Sequence, residues 1–483
     1  MAMADTFVLF GATGDLAKRM LFPSLYFLHA EGFLDDDVRI LAAARSPRSN
    51  EEFRAEVASW CCERADGAKQ DVVDAFVARI HYLAIDVTTP EGYDELAAKI
   101  RENGKGKEVV FYLSTSPSIF GAVCQGLKSH GLSEPPHRIV VEKPIGYDLE
   151  SNIRINDTVA EAFSEERTFR IDHYLGKETV QNLIALRFGN RIFEPLWNSQ
   201  TVESVQISIA ETLGAEGRGG YYDEYGAMRD MMQNHLLQLL CLVAMEPPSS
   251  LNAEAIRNEK VKVLRSLGPI TAENVEARTV RGQYKEGFDP DGGKAASYRD
   301  DVENPKSETE TYVAVAADVR NWRWAGVPFY LETGKRMAER KTHVVIAFKP
   351  VPHSIFGDDA SPNELHIVLQ PEERITLQIM NKRPGISAEG MPLQELPLNL
   401  SLSEATNGQR RRIAYEQLIL DALTNNPSLF VQRDEQEAAW KWIDAIAKAW
   451  AERGMEPKPY RSGSNGPSAK HVLTERNGHS WYE

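Results

Sequence analysis

Apolar and polar positions change rhythm part-way along the chain. In the first part, short apolar runs alternate with segments of helical pattern. Phe7 to Phe10 is strand-like and runs into Gly11, and a helical pattern follows from Gly14 to about Ala30. Val38 to Ala43 is apolar again, and about Glu51 to Ile80 reads as helical with a break near Asp66-Gly67. His81 to Ile85, Glu108 to Leu113 and Arg138 to Val141 read as strands, and helical patterns start near Ser118 and Leu149. Strand–helix alternation of this kind predicts a parallel, doubly wound sheet.

After about Asp172 the rhythm becomes one of strands in clusters. Val202 to Ala210 alternates apolar and polar positions, as a half-exposed strand does. Thr311 to Val319, Val344 to Phe348, Glu364 to Leu369 and Ile375 to Ile379 are similar. Long helices are expected at about Arg229 to Met245, Ala414 to Asn425 and Glu435 to Arg453. This pattern predicts an α+β domain with a mainly antiparallel sheet flanked by helices. The chain therefore reads as a doubly wound α/β domain over residues 1–172 and a larger α+β domain over 173–483. Gln283 to Glu310 reads as an unusually long loop, mobile, functional or both. The Gly/Ser-rich tail after Tyr460 is expected to be poorly ordered.

Charge narrows the partners. The 483 residues carry 55 Lys+Arg against 70 Asp+Glu, a formal charge of −15. Broad nucleic-acid or anionic-membrane binding needs a basic face, so neither is expected. A small anionic substrate needs only a local cluster of cations. Four cysteines, without zinc-ribbon or C-x-x-C spacing, read as reduced thiols, and no metal site is expected. The start of the chain has no basic segment before a long apolar run. The most apolar stretch, Leu236 to Met245, is shorter than the roughly 20 residues that a spanning helix needs. A soluble cytoplasmic protein is expected.

The turn Gly11-Ala12-Thr13-Gly14-Asp15-Leu16 closes the first strand and opens the first helix. Glycines there let the backbone approach a pyrophosphate, and free N–H groups at the helix start face its oxygens. The spacing is G-x-x-G, which a plain strand-to-helix turn also produces. Its position at the end of the first strand favours the nucleotide reading. Where an NAD-selective site usually places an acid, the second strand ends at Arg45, whose planar fork suits a 2′-phosphate. NADP is therefore favoured over NAD.

Three later segments are dense in polar chemistry. Glu142-Lys143-Pro144-Ile145-Gly146 puts a lysine at a strand end, although Lys-Pro-x-Gly also makes a good surface turn. Arg170-Ile171-Asp172-His173-Tyr174-Leu175-Gly176-Lys177-Glu178 mixes charge with aromatic and apolar residues. His173 and Lys177, on one helical turn, would make a phosphate clamp. Arg229 to His235 puts Asp230, Gln233, Asn234 and His235 before an apolar run, where a histidine is more often a satisfied core residue than a catalyst.

Together these runs closely resemble the glucose-6-phosphate dehydrogenase family. Glu216-Gly217-Arg218-Gly219-Gly220-Tyr221, Gly326-Val327-Pro328-Phe329 and Gly334-Lys335 extend the resemblance in the family's order. It implies a Rossmann-like coenzyme domain, and a larger domain whose sheet commonly forms a homodimer interface, sometimes extended to tetramers. It implies oxidation of glucose 6-phosphate at C1 by NADP⁺ to 6-phosphogluconolactone, the first step of the oxidative pentose phosphate pathway.

The same resemblance implies roles. His235 matches the general base and Asp172 the carboxylate that orients it. His173, Tyr174 and Lys177 match the sugar-phosphate run, and Lys143 a lysine that touches both substrate and coenzyme. Glu211 and Asp230 match acceptors of sugar hydroxyls, Lys335 a substrate cation and Arg340 a further basic contact. Gly11, Ala12, Thr13, Gly14, Asp15, Leu16 and Arg45 match the coenzyme site. Some eukaryotic members hold a second, structural NADP among arginines. Here Glu332, Val345 and Val368 stand at three of those positions, so that site is not expected.

Two other readings compete. A Glu-Lys-Pro element after a Rossmann-like domain also occurs in dehydrogenases of unphosphorylated sugars or inositols. The His173/Lys177 pair with Lys335 argues against those, since such substrates need no phosphate contacts. A nucleotide-binding regulator without activity could share the fold. The joint presence of His235, Asp172 and Lys143 argues against it.

Overall fold

Thr6–Phe10 (β1) is buried at every position, and its alternate side chains feed two separate cores. Phe7 and Leu9 join Ile40, Ala42 and Tyr112 on one face. Val8 and Phe10 join Leu41, Ala43 and Phe111 on the other. A strand apolar on both faces is a strand covered on both faces, as in doubly wound sheets. In the computed structural model, which describes residues 3–65, 67–357, 360–386, 391–401, 410 and 412–482, β1 is central to such a sheet.

Its companions are Arg39–Ala44 (β2), Ile80–Ala84 (β3), Val109–Leu113 (β4), Arg138–Val141 (β5) and Thr168–Arg170 (β6). The order is β3-β2-β1-β4-β5-β6, and every pairing is parallel. Strand order reverses between β1 and β4, so a crevice opens beyond the carboxyl ends of those two strands. The connecting helices carry their own start signals. Ser49 and Glu52 form a capping box ahead of Asn50–Arg64, and Asp148 with Ser151 does the same for Leu149–Ala160.

The second sheet has nine strands. They are Val202–Ala210 (β7), Thr279–Lys285 (β8), Tyr312–Asp318 (β11), Pro328–Gly334 (β12), Lys341–Phe348 (β13), Glu364–Gln370 (β14), Arg374–Lys382 (β15), Leu393–Ser401 (β16) and Lys458–Arg461 (β17). Gly287–Phe288 (β9) and Lys294–Ala295 (β10) pair separately. The order is β16-β15-β14-β13-β7-β12-β11-β8-β17. Only β12 with β7 and β17 with β8 run parallel. The fold is thus a Rossmann-like parallel sheet followed by a larger, mainly antiparallel sheet with helices.

Two compact units result: residues 1–181 with 248–258 and 411–437, and residues 182–247 with 259–410 and 438–483. Pattern reads one cut, after residue 172; these units exchange segments. Within the first, helix Ala414–Leu423 packs Tyr415, Leu418 and Ile419 onto the parallel sheet's Phe7 face.

Two loop expectations need correction. The Gln283–Glu310 stretch contains β9, β10 and a capped turn, Tyr298–Asp301. The carboxylate of Asp223 pins it, accepting from Tyr298 Oη at 2.9 Å, Asn304 Nδ2 at 2.8 Å and Ser307 Oγ at 2.5 Å. The tail after Tyr460 is also ordered. It forms β17 and helix His471–Glu475, and buried Trp481 donates its indole N–H to Lys470 O at 3.0 Å. Its aromatic anchors outweigh its Gly/Ser content.

Candidate active site

At the carboxyl end of β1, Gly11 has φ +79°. A Cβ there would lie 2.2 Å from Ser114 O, at the end of β4. Only glycine permits this approach, and it opens the crevice at the strand-order reversal. Gly11 N–H and Ala12 N–H donate to Ala43 O, and Gly14 N–H donates to Gly11 O, which closes the turn. Thr13 and Leu16 are half-buried beside it. Asp15 is exposed and pairs with Arg19 at 2.9 Å. The helix after the turn is widened over Ala17–Leu21, with i→i+5 hydrogen bonding, before becoming α-helical at Phe22–Ala30. Such insertions concentrate at functional sites.

Arg45 is exposed directly after β2. The nearby Arg48 is occupied by Glu56. Asp86, past the end of neighbouring β3, is held below its usual range by hydrogen bonds from Thr88 and by the Arg45 charge. Apart from Lys143, the sequence-predicted coenzyme residues in this unit therefore gather at the ends of β1 and β2.

Lys143 and Asp172 leave adjacent parallel strands at the same end. Val141 is in register with Arg170, and Ile171 N–H donates to Val141 O at 3.0 Å. Asp172 is 2% exposed and accepts from Tyr174 N–H at 2.9 Å. His173 and Lys177 are not on one helical turn, as pattern had predicted. The run is a tight turn, closed by Leu175 N–H on Asp172 O and Lys177 N–H on Tyr174 O, and a helix begins only at Glu178. Gly176 lets the turn approach helix Ala414–Leu423 closely, since a Cβ there would lie 2.4 Å from Ala414 O. Lys177 Nζ sits 3.3 Å from the centre of the Tyr174 ring. His173 stacks on Tyr415 at 6.2 Å, with planes 10° apart.

Glu142, beside Lys143, is buried. Tyr112 Oη donates to its Oε1 at 2.5 Å, and the Tyr415 hydroxyl also bonds its carboxylate. Burial pushes Glu142 up to about 7, against the opposing effect of Tyr112, Tyr415 and Lys143.

In the other unit, Glu211 follows β7 and Lys335 follows β12. These strands are parallel, with Ala210 opposite Gly334, so both residues emerge at one end of the sheet. Lys335 Nζ lies 2.8 Å from Glu211 Oε2 and 4.9 Å from the Tyr222 ring centre. Burial, then the charges of Asp230 and Glu211, raises the Tyr222 phenol well above its usual value. Arg340 is exposed on the connection from β12 to β13.

Asp230 and His235 share the segment Met228–Leu236, which is a π-helix rather than the α-helix expected. In i→i+5 geometry these two residues lie one turn apart, on one side. His235 is 1% exposed and Asp230 accepts from Tyr221 Oη at 3.3 Å. Glu310 caps the start of this helix, accepting from Ala227 N–H and Met228 N–H.

Comparison with known proteins decides the family. Residues 8–182 match "Glucose-6-phosphate dehydrogenase, NAD binding domain" and residues 184–482 match "Glucose-6-phosphate dehydrogenase, C-terminal domain". The chain belongs to the glucose-6-phosphate dehydrogenase family. The Glucose-6-phosphate 1-dehydrogenase of Zymomonas mobilis is 50% identical over 485 residues, covering 99% of each chain. That of Rhizobium meliloti is 50% identical over 480 residues, covering 98% of this chain and 97% of its own. A solved glucose-6-phosphate dehydrogenase in complex with its substrate glucose-6-phosphate is 38% identical, with TM-score 0.92 over 100% of both chains.

As a glucose-6-phosphate dehydrogenase family member, the chain carries a nicotinamide dinucleotide-binding domain, and the Gly11 cradle suits such a group. Sequence reasoning missed Tyr112, Tyr415 and Tyr222. A buried glutamate at the end of an apolar strand signals a need for partners, but nothing in the pattern says that they come from residues 112 and 415. Glu332, at one of the non-arginine positions, accepts from Tyr312 Oη at 2.6 Å and pairs with Lys470 at 3.3 Å.

Proposed function

We propose that this chain oxidises D-glucose 6-phosphate at C1 to 6-phospho-D-glucono-1,5-lactone, with NADP⁺ as coenzyme. The observation that carries this reading is the full-length likeness to a solved enzyme bound to that substrate. His235 takes the proton of the C1 hydroxyl as general base. Asp172 orients the imidazole and steadies its cation, the logic of a base held by an acid. Lys177, His173, Tyr174 and Lys335 hold the phosphate end, with Arg340 as a further basic contact. Glu211 and Asp230 accept from sugar hydroxyls, and Lys143 bridges sugar and coenzyme. The turn Gly11–Leu16 receives the pyrophosphate and Arg45 the 2′-phosphate. The bound nicotinamide supplies the hydride acceptor.

The reading extends to a cytoplasmic homodimer or homotetramer. In its support, no helix among the described residues is long and apolar enough to cross a membrane. Strands β14 and β15 also keep half-exposed side chains that another copy could cover. Light scattering on the purified protein measures the assembly. The activity is tested by initial rates with glucose 6-phosphate and with glucose, each with NADP⁺ and NAD⁺. A fast rate with the phosphorylated sugar alone is expected. A rate with glucose and none with its phosphate would overturn the reading.

A further inference from the structure

We infer that Glu142 is a positioning residue for substrate binding: its carboxylate, held by Tyr112 and Tyr415, fixes the ring against which His173 stacks. The inference rests on the proposed activity and assigns a role to a residue that sits behind the sugar-phosphate run.

The geometry is confined to one compact unit. Tyr112 reaches the carboxylate from β4 at 2.5 Å. Tyr415 reaches it from helix Ala414–Leu423, and the N–H of Lys143 donates to it from its own strand end. The Tyr415 ring stacks on the His173 imidazole, with centroids 6.2 Å apart and planes within 10° of parallel. Asp172 is the further charge that acts on Tyr415. One buried carboxylate thus ties together β4, the strand end that carries Lys143 and the helix that backs His173. Both phenols are pushed well above their usual values by burial, so they remain neutral donors.

An ionised carboxylate accepts from all three donors. A protonated one turns one carboxyl oxygen into a donor, so one phenol must reverse its hydrogen bond or lose it. Gln has the same conflict at every pH, because its NH₂ cannot accept. Losing one such hydrogen bond is worth about 1 kcal/mol, or roughly a five-fold change in an equilibrium. The titration of Glu142 at about 7 puts the change within the working range.

The test compares wild type, Glu142→Gln and Glu142→Asp. KM for glucose 6-phosphate and kcat are measured from pH 6 to 8.5, and substrate binding is followed by calorimetry at both ends. In wild type, KM is expected to rise as pH falls through about 7. In Glu142→Gln, KM at pH 8 is raised roughly five-fold with kcat little changed, and the Glu142-linked part of the pH dependence is gone. Ionisation of the substrate phosphate is common to both proteins and cancels in the comparison. Glu142→Asp keeps an ionisable acceptor and retains the inflection, which guards against a folding defect of the amide variant. Wild-type KM and wild-type pH dependence in Glu142→Gln would overturn the role alone. So would equal losses in both parameters at every pH, which mark a structural residue. A wild-type protein inactive on glucose 6-phosphate would overturn the activity and this role together.

Discussion

Lys335 ends against Glu211, 2.8 Å from its carboxylate, with the Tyr222 ring 4.9 Å away on another side. The pair exists because β7 and β12 run parallel and stop together. Two long side chains are thereby ordered at a sheet end, which, in the binding role proposed for them, lowers the ordering cost of binding.

Replacing Lys335 by Gln should therefore act on binding. The variant loses a charge-assisted contact, worth about 1.5–3 kcal/mol, so KM for glucose 6-phosphate rises roughly 10–100-fold. kcat at saturation changes far less. Initial-rate kinetics check this, and a fall in kcat with unchanged KM would refute a binding role.

Arg45 should discriminate between coenzymes. It is exposed, while Arg48 is occupied by Glu56. Arg45→Ala is expected to weaken NADP⁺ on the order of 10–100-fold and to leave NAD⁺ nearly unchanged. Dissociation constants from coenzyme fluorescence measure both. Equal losses would mean that Arg45 does not meet the 2′-phosphate.

His235→Asn should separate chemistry from binding. A general base contributes about 10²–10⁴-fold to rate, so kcat falls by that order. Calorimetric affinity for glucose 6-phosphate should persist, because the phosphate contacts proposed above belong to other residues. Weakened binding with normal turnover at saturation would remove His235 from the base role.

Legibility in the sequence followed the range of the interaction. The turn at Gly11 and β1, β2, β4 and β5 were readable, because apolar runs and glycine placement are local signals. Helix Glu91–Arg101 was missed although Tyr93, Leu96, Ala97 and Ile100 sit at helical spacing, because charged residues surround them. The strand β6 has only the three residues Thr168–Arg170, too few to show a period. The π-helix at Met228–Leu236 read as α, since composition does not report the hydrogen-bond register. The candidate residues on the Arg170–Glu178 run were readable as a motif. Their backing was not, because Tyr415 reaches His173 and Glu142 from far along the chain.

Asp421 offers a stability test outside the proposed chemistry. It is 3% exposed, and its Oδ1 accepts from Gln417 Nε2 at 2.9 Å and Asn426 Nδ2 at 3.0 Å. Its Oδ2 is buried and has no hydrogen-bond partner among the described residues. Burial pushes its carboxyl up from 3.8 to about 6, against the lowering effect of those two amides. In the folded chain it therefore holds a proton that the unfolded chain has already released between those values. Stability from this group is full below about pH 4 and is lost as pH rises through about 6. Asp421→Asn keeps the Oδ1 acceptor and removes the charge. Relative to wild type, the variant should be more stable at pH 8, by about 3 kcal/mol, and the difference should vanish near pH 4. Urea unfolding of this unit across that range measures the difference. A variant less stable at pH 8 would show that the ionised carboxylate is held by interactions worth more than its burial.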